Sequence, residues 1–128
     1  MRKSDVPQPT AVEMEILRIL WNLGPSPVRD VHARLAAAKG TNYSTSLKML
    51  SVMLAKGLVK RDDGISPHIY RAGITREKAG KRFLGELIEK VYQGSAMSLV
   101  LQALAGGRAS PEEIEEVRKL LDRMEGKS

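Results

Sequence analysis

Apolar residues recur at Val12, Ile16, Ile19, Leu20 and Leu23, the three-and-four spacing of one buried helix face. Thr10 and Glu13 frame the start of that run as a capping box, each side chain placed to bond the other's backbone amide. Gly24-Pro25 stops it. Ser26-Pro27 offers a second start, a cap followed by proline at the first helical position. Val28, Val31, Leu35 and Ala38 then carry a shorter amphipathic helix to Lys39-Gly40. A third helix is predicted over residues 44–56, with Gly57 as its stop. Leu47, Met49, Leu50, Met53 and Leu54 form its apolar face, and Ser44, Thr45, Lys48 and Ser51 the opposite one. Past Gly57 the period changes. Residues 58–61 and 68–71 read as two short strands around the turn signal Asp62-Asp63-Gly64.

The chain then returns to helix. Thr75-Arg76-Glu77-Lys78 opens a long one with Phe83, Leu84, Leu87, Ile88 and Val91 on its apolar side, broken at Gly94-Ser95. Met97, Leu99, Val100, Leu101, Ala103 and Leu104 make a short helix that is apolar nearly all round and ends at Gly106-Gly107. Ser110-Pro111-Glu112-Glu113 opens the last helix, apolar at Ile114, Val117, Leu120, Leu121 and Met124. The order is that of a mainly α protein: a winged helix-turn-helix of three helices plus a β-hairpin wing over residues 1–74, then a helical region over 75–128. Three short helices cannot close a core alone, and a helix apolar on all sides has to be buried. The expected cover is the same segment of a second chain. A homodimer is therefore predicted, joined through Phe83, Leu84, Leu87, Ile88, Val91, Leu99, Val100, Leu101, Leu104, Ile114, Val117, Leu120 and Leu121. A single monomeric core is the alternative.

Composition narrows the function. The 128 residues contain no cysteine, which excludes disulfides, thiolate metal clusters and a cysteine nucleophile, and suits a reducing cytoplasm. No apolar run is long enough to span a membrane, and residues 1–9, with Pro7 and Pro9, read as a flexible lead-in without a signal core. The formal charge of +6 is unevenly placed. Residues 1–74 hold eleven Lys/Arg against six Asp/Glu, and residues 75–128 hold ten against nine. The excess thus belongs to the winged part, which becomes the candidate binder of a polyanion.

A third helix lying in a major groove presents its outward residues to DNA. Ser44 and Thr45 at its start suit phosphate, helped by free amides, while Lys48 and Ser51 suit base edges. Tyr43 packs on the sugar-phosphate backbone or holds the turn. In the wing, Lys60, Arg61, His68 and Arg71 are candidates for flanking phosphates or the minor groove. The competing reading is an ordinary solvated face. His32 and His68 fall in different elements and no ligand cluster accompanies them, so neither a metal nor a cofactor is expected. His32 reads as a surface residue of the second helix. The methionines sit at core spacing. No nucleophile–base pair supports an enzyme.

Thr10-x-x-Glu13-x-Glu15-Ile16, followed by Leu20-Trp21-x-x-Gly24-Pro25, resembles the opening of the penicillinase-repressor (BlaI/MecI/CopY) family. The likeness continues through Tyr43-Ser44-Thr45, Met49-Leu50, Lys56-Gly57-Leu58-Val59, His68-Ile69-Tyr70-Arg71 and Ser110-Pro111-Glu112-Glu113-Ile114. The resemblance implies a homodimeric bacterial repressor that binds double-stranded operator DNA with dyad symmetry, often with TACA/TGTA-like half-sites. It makes Trp21 a structural residue between helices. It also implies, in one branch, a membrane sensor peptidase as antirepressor, cutting near an Asn-Phe bond where this chain reads Gln102-Ala103. The metal mode of the copper branch needs cysteine pairs, and this chain has none. Leu47 and Val52 stand where many relatives carry basic residues. The second reading is a winged-helix protein-interaction or RNA-associated module without sequence-specific DNA binding.

Overall fold

Thr10 caps α1 (Ala11–Leu23) as the sequence predicts: its hydroxyl accepts from the Glu13 amide at 3.2 Å, and the Glu13 carboxylate accepts from the Thr10 amide at 3.0 Å. The structure, a computed structural model, describes residues 8–126, so the lead-in lies mostly outside it. The buried face of α1 runs through Glu13, Ile16, Leu17 and Leu20, with Ile19 beside it, while Val12 is exposed. That face is centred one residue round from where Val12 would put it.

Gly24, at φ 84°, ends α1, and the chain does not enter the next helix at once. Ser26–Pro27 forms β1, paired antiparallel to β3 with Ser26 opposite Tyr70 and Pro27 opposite Ile69. Ser26 is therefore not a helix cap. Its hydroxyl donates to the Gly24 carbonyl at 2.8 Å. Proline has no N–H to give a ladder, and β1 tolerates it because it is an edge strand in the order β1-β3-β2. Pro27 then becomes the boundary residue of α2 (Val28–Lys39), which ends at Gly40 in the left-handed region.

Asn42 starts α3 (Tyr43–Lys56) one residue earlier than the sequence pattern predicts. At its end the Gly57 amide bonds the Leu54 carbonyl at 3.1 Å and the Leu58 amide bonds Met53 at 2.9 Å. Such a closure ties Leu58 to the helix, so the strands begin one residue late, as β2 (Val59–Asp62) and β3 (Ile69–Ala72). Their register sets Val59 against Ala72 and Arg61 against Tyr70 on one face, Lys60 against Arg71 and Asp62 against Ile69 on the other.

One core joins these pieces. Ile16, Leu17, Ile19 and Leu20 of α1 meet Val31 and Leu35 of α2, Leu50 and Met53 of α3, then Leu58, Val59, Tyr70 and Ile74. Ala79, in the first turns of α4 (Arg76–Val91), is its last member. Each fully buried aliphatic side chain here contributes about 1.5–3 kcal/mol of transfer free energy.

The chain divides into two compact units, residues 1–83 and 84–128, and α4 runs through the boundary. In the second unit Ser95 caps α5 (Ala96–Ala105), accepting from the Ser98 amide at 3.1 Å. Ser110 and Glu113 form the expected capping box of α6 (Pro111–Met124). The Tyr92 hydroxyl donates to the Gln102 side chain at 2.7 Å. Neither α5 nor α6 has a buried residue.

Candidate nucleic-acid interface

On α3, 3.6 residues per turn place Ser44, Lys48, Ser51 and Ala55 along the centre of one face, and all four are exposed. The predicted polar face is therefore real, but its edges differ from expectation. Ser46 is buried, accompanying Leu50 and Met53 at intervals of four and three, whereas Leu47 is 42% exposed. Leu47 leaves the apolar face assigned to it because the i, i+4, i+7 row that meets the core begins at residue 46.

The helix start also differs. The Asn42 side chain accepts from the Thr45 amide at 2.8 Å and from the Ser44 hydroxyl at 3.0 Å. The Thr45 amide is thus capped rather than free, and the Ser44 hydroxyl proton is already engaged. Asn42 was legible as a signal, since asparagine is among the best caps, but the pattern of Ser44-Thr45 drew the boundary past it. Tyr43 stands at the helix entrance, its ring edge-on to His32 with centroids 5.2 Å apart. His32 is not a simple surface residue: half-buried, its Nδ1 lies 2.8 Å from the Ser46 hydroxyl and docks α2 on α3.

Tyr43 and Leu47 share a groove of about 360 Å³ with Val28, Arg29, Pro67 and His68, so the start of α3, the start of α2 and the wing converge. Arg29 was not among the expected site residues; its place in the first turn of α2 was the available clue. Within the wing the four cationic candidates separate. Lys60 and Arg71 face each other directly across β2 and β3 on the outer face. Among the described residues neither has an acidic partner within 4.0 Å, and like charges in that register are mutually destabilising. Arg61 points the other way. It donates to Asp63 at 2.5 Å, and its pKa is raised, first by the hydrogen bond with the Tyr70 hydroxyl and then by Asp63. His68 lies 3.7 Å from the same Asp63 carboxylate.

Two half-buried anchors hold this surface. Lys56, at the end of α3, donates to the Glu13 carboxylate at 2.6 Å. Burial acts to raise the Glu13 pKa, but Lys56 and Thr10 together outweigh it and hold the carboxyl below its ordinary value. Trp21 donates from Nε1 to the Ile74 carbonyl at 3.0 Å and carries the Arg76 guanidinium over its ring at 5.4 Å. It ties α1 to the segment between β3 and α4, the structural role the resemblance implied. Among the described residues no group of three or more His, Cys, Asp or Glu is placed to hold a metal ion.

None of the residues expected to dimerise is fully buried. Phe83, Leu84, Leu87, Val91, Val100, Leu101, Leu120 and Leu121 are exposed, and Ile88, Leu99, Leu104, Ile114 and Val117 are only half-buried.

The penicillinase-repressor family profile matches residues 9–123. The penicillinase repressor of Bacillus licheniformis is 22% identical over 117 residues, covering 91% of this chain and 91% of its own. The methicillin resistance regulatory protein MecI of Staphylococcus aureus (strain N315) is 25% identical over 118 residues, covering 89% and 93%. Among solved structures, the solution structure of the Bacillus licheniformis BlaI monomeric form in complex with the blaP half-operator is similar with a TM-score of 0.51. It is 19% identical and covers 57% of this chain and 89% of that one. That likeness shows a shared winged-helix fold.

Proposed function

Because the chain belongs to the penicillinase-repressor family, we propose that it represses transcription by occupying a dyad-symmetric DNA operator as a homodimer in the cytoplasm. The family is one of repressors, and the chain is a regulator rather than an enzyme. One observation carries the DNA reading. Lys60 and Arg71 stand opposed on the wing without an acidic partner among the described residues, an arrangement that costs stability unless a polyanion neutralises it. The exposed strip of Ser44, Lys48 and Ser51 supplies the face that enters the major groove. Tyr43 and Thr45 border it, Lys60 and Arg71 hold flanking phosphates, and His68 and Arg61 shape the wing through Asp63.

Residues 1–74 carry the DNA contacts and residues 75–128 the dimer contacts, with α4 serving both through Ala79 and its outward apolar side. The observation supporting the dimer is the set of exposed apolar side chains on α4, α5 and α6. Two recognition helices one duplex turn apart, about 34 Å, then match a palindromic site. An antirepressor peptidase, the partner implied by the resemblance, would act on α5, where Gln102 and Ala103 are both exposed. Recovery of only intact chain from induced cells would remove that partner.

Footprinting on the chain's own promoter, followed by titration across a salt series, tests the central reading. A protected palindrome is expected, and Lys48→Ala weakens binding and reduces the slope of log K against log salt by about one unit per half-site, about two for the dimer. Weak binding indifferent to sequence would instead favour the protein-interaction or RNA-associated module.

A further inference from the structure

Leu47 and Val52 border the polar strip of α3, one on each side, and both are exposed, at 42% and 38%. Between Ser44, Lys48 and Ser51, a leucine brings neither a donor nor an acceptor. When this face enters a major groove, a polar base edge opposite Leu47 gives up water and receives no hydrogen bond in exchange. One group on the groove edge avoids that loss. The C5-methyl of thymine is apolar and projects into the groove, and it is the feature that an aliphatic side chain can recognise there.

We propose that Leu47 reads a thymine 5-methyl group in the operator half-site, so that specificity at that base pair rests on a methyl contact and not on a hydrogen bond. The inference rests on the operator-binding reading above. Its geometry is favourable: Leu47 lies in the first half of α3, in the groove it shares with Tyr43 and the wing residues Pro67 and His68. Tyr43 is fixed there by its edge contact with His32, so the start of α3 is a held surface. Val52 has the same chemistry on the other border, further along the helix. Leu47 and not Ser46 occupies the outer position because Ser46 is committed to the His32 contact inside.

The test uses the full chain and a duplex operator recovered by selection from a random pool. Each thymine of the half-site is replaced in turn by deoxyuridine, at the equivalent position of both half-sites, which removes only the methyl group. Wild-type protein is expected to lose about fourfold in affinity per half-site at one such position, about 16-fold for the dimer, the value of one buried methyl-sized group in each half-site. Leu47→Ala, a change at an exposed position, is expected to bind the thymine duplex about as weakly as wild type binds the deoxyuridine duplex, and to treat the two alike. Selective operator binding with equal affinity for thymine and deoxyuridine at every position overturns the assignment while leaving the repressor reading intact. A thymine preference that persists in Leu47→Ala also overturns it, passing the contact to another side chain such as Val52. Absence of any sequence-selective binding removes both.

Discussion

Glu13 is a carboxylate with 2% of its surface exposed, and it is stable there because Lys56 and the Thr10 amide donate to it, while the Thr10 hydroxyl accepts from the Glu13 amide. Folding lowers its pKa, so as pH falls the unfolded chain takes up the proton first. The stabilisation is therefore complete above the ordinary value of 4.5 and is lost as pH falls through the lower folded value. Lys56→Ala leaves the buried carboxylate without its cation and is expected to cost about 1–2 kcal/mol, partly relieved by solvent, in urea unfolding at pH 7. Glu13→Gln is expected to lower stability at pH 7 and to flatten its acid dependence; an unchanged acid limb would place that dependence elsewhere. Lys60 presents the opposite balance. Lys60→Thr relieves the repulsion with Arg71, so about 0.5 kcal/mol of added stability is expected together with weaker operator binding. Unchanged operator binding in that variant would argue against the wing as a phosphate-binding surface, and lower stability would argue against the repulsion.

Elements are set by how each begins and ends. β1 exists because Ser26 and Pro27 fall against β3 once α1 has turned at Gly24, and no local signal in the two residues announces a strand. The far end of β3 is equally constrained. A Cβ on Gly73 would lie 2.5 Å from the Gly57 carbonyl oxygen and 3.1 Å from the Leu58 backbone, so the strand and the α3 terminus would have to separate. The Gly73 amide also donates to the Leu58 carbonyl at 2.7 Å. Gly73→Ala is expected to destabilise by roughly 1–3 kcal/mol, read as a lower urea midpoint, and a neutral effect would show that the approach relaxes freely. In α3 the stop glycine was legible from residue type, but the pattern places the helix start at Ser44 although Asn42 carries the cap signal. Which of Ser46 and Leu47 turns inward was not legible, because both positions lie near the edge of the apolar face and composition favours leucine.

At the scale of the whole molecule, burial is concentrated before residue 80 and apolar exposure after it. A fragment ending at Phe83 retains every core residue, Ala79 included, and is expected to fold as a monomer with weak operator affinity. Sedimentation of that fragment as a dimer would contradict the proposed division of labour. For the full chain, folding coupled to association makes the apparent Tm rise with protein concentration, whereas the fragment's should not. A concentration-independent Tm for the full chain would point to a monomer whose apolar helices have some other cover.

The sequence by itself determined the order of the helices and the hairpin, the two capping boxes, the glycine stops, the basic winged part and the apolar surplus of the last three helices. These follow from local rules: periodicity, cap chemistry and charge counting act within a turn or two of helix. Only the tertiary structure decided the rest. It made Ser26–Pro27 a strand, sent Ser46 inside with His32, turned Leu47 outward, and set Lys60 beside Arg71 while Arg61 went to Tyr70 and Asp63. The reason is the same in each case. These assignments depend on register and on which neighbour lies across the core, and a neighbour distant in sequence leaves no mark on the local pattern.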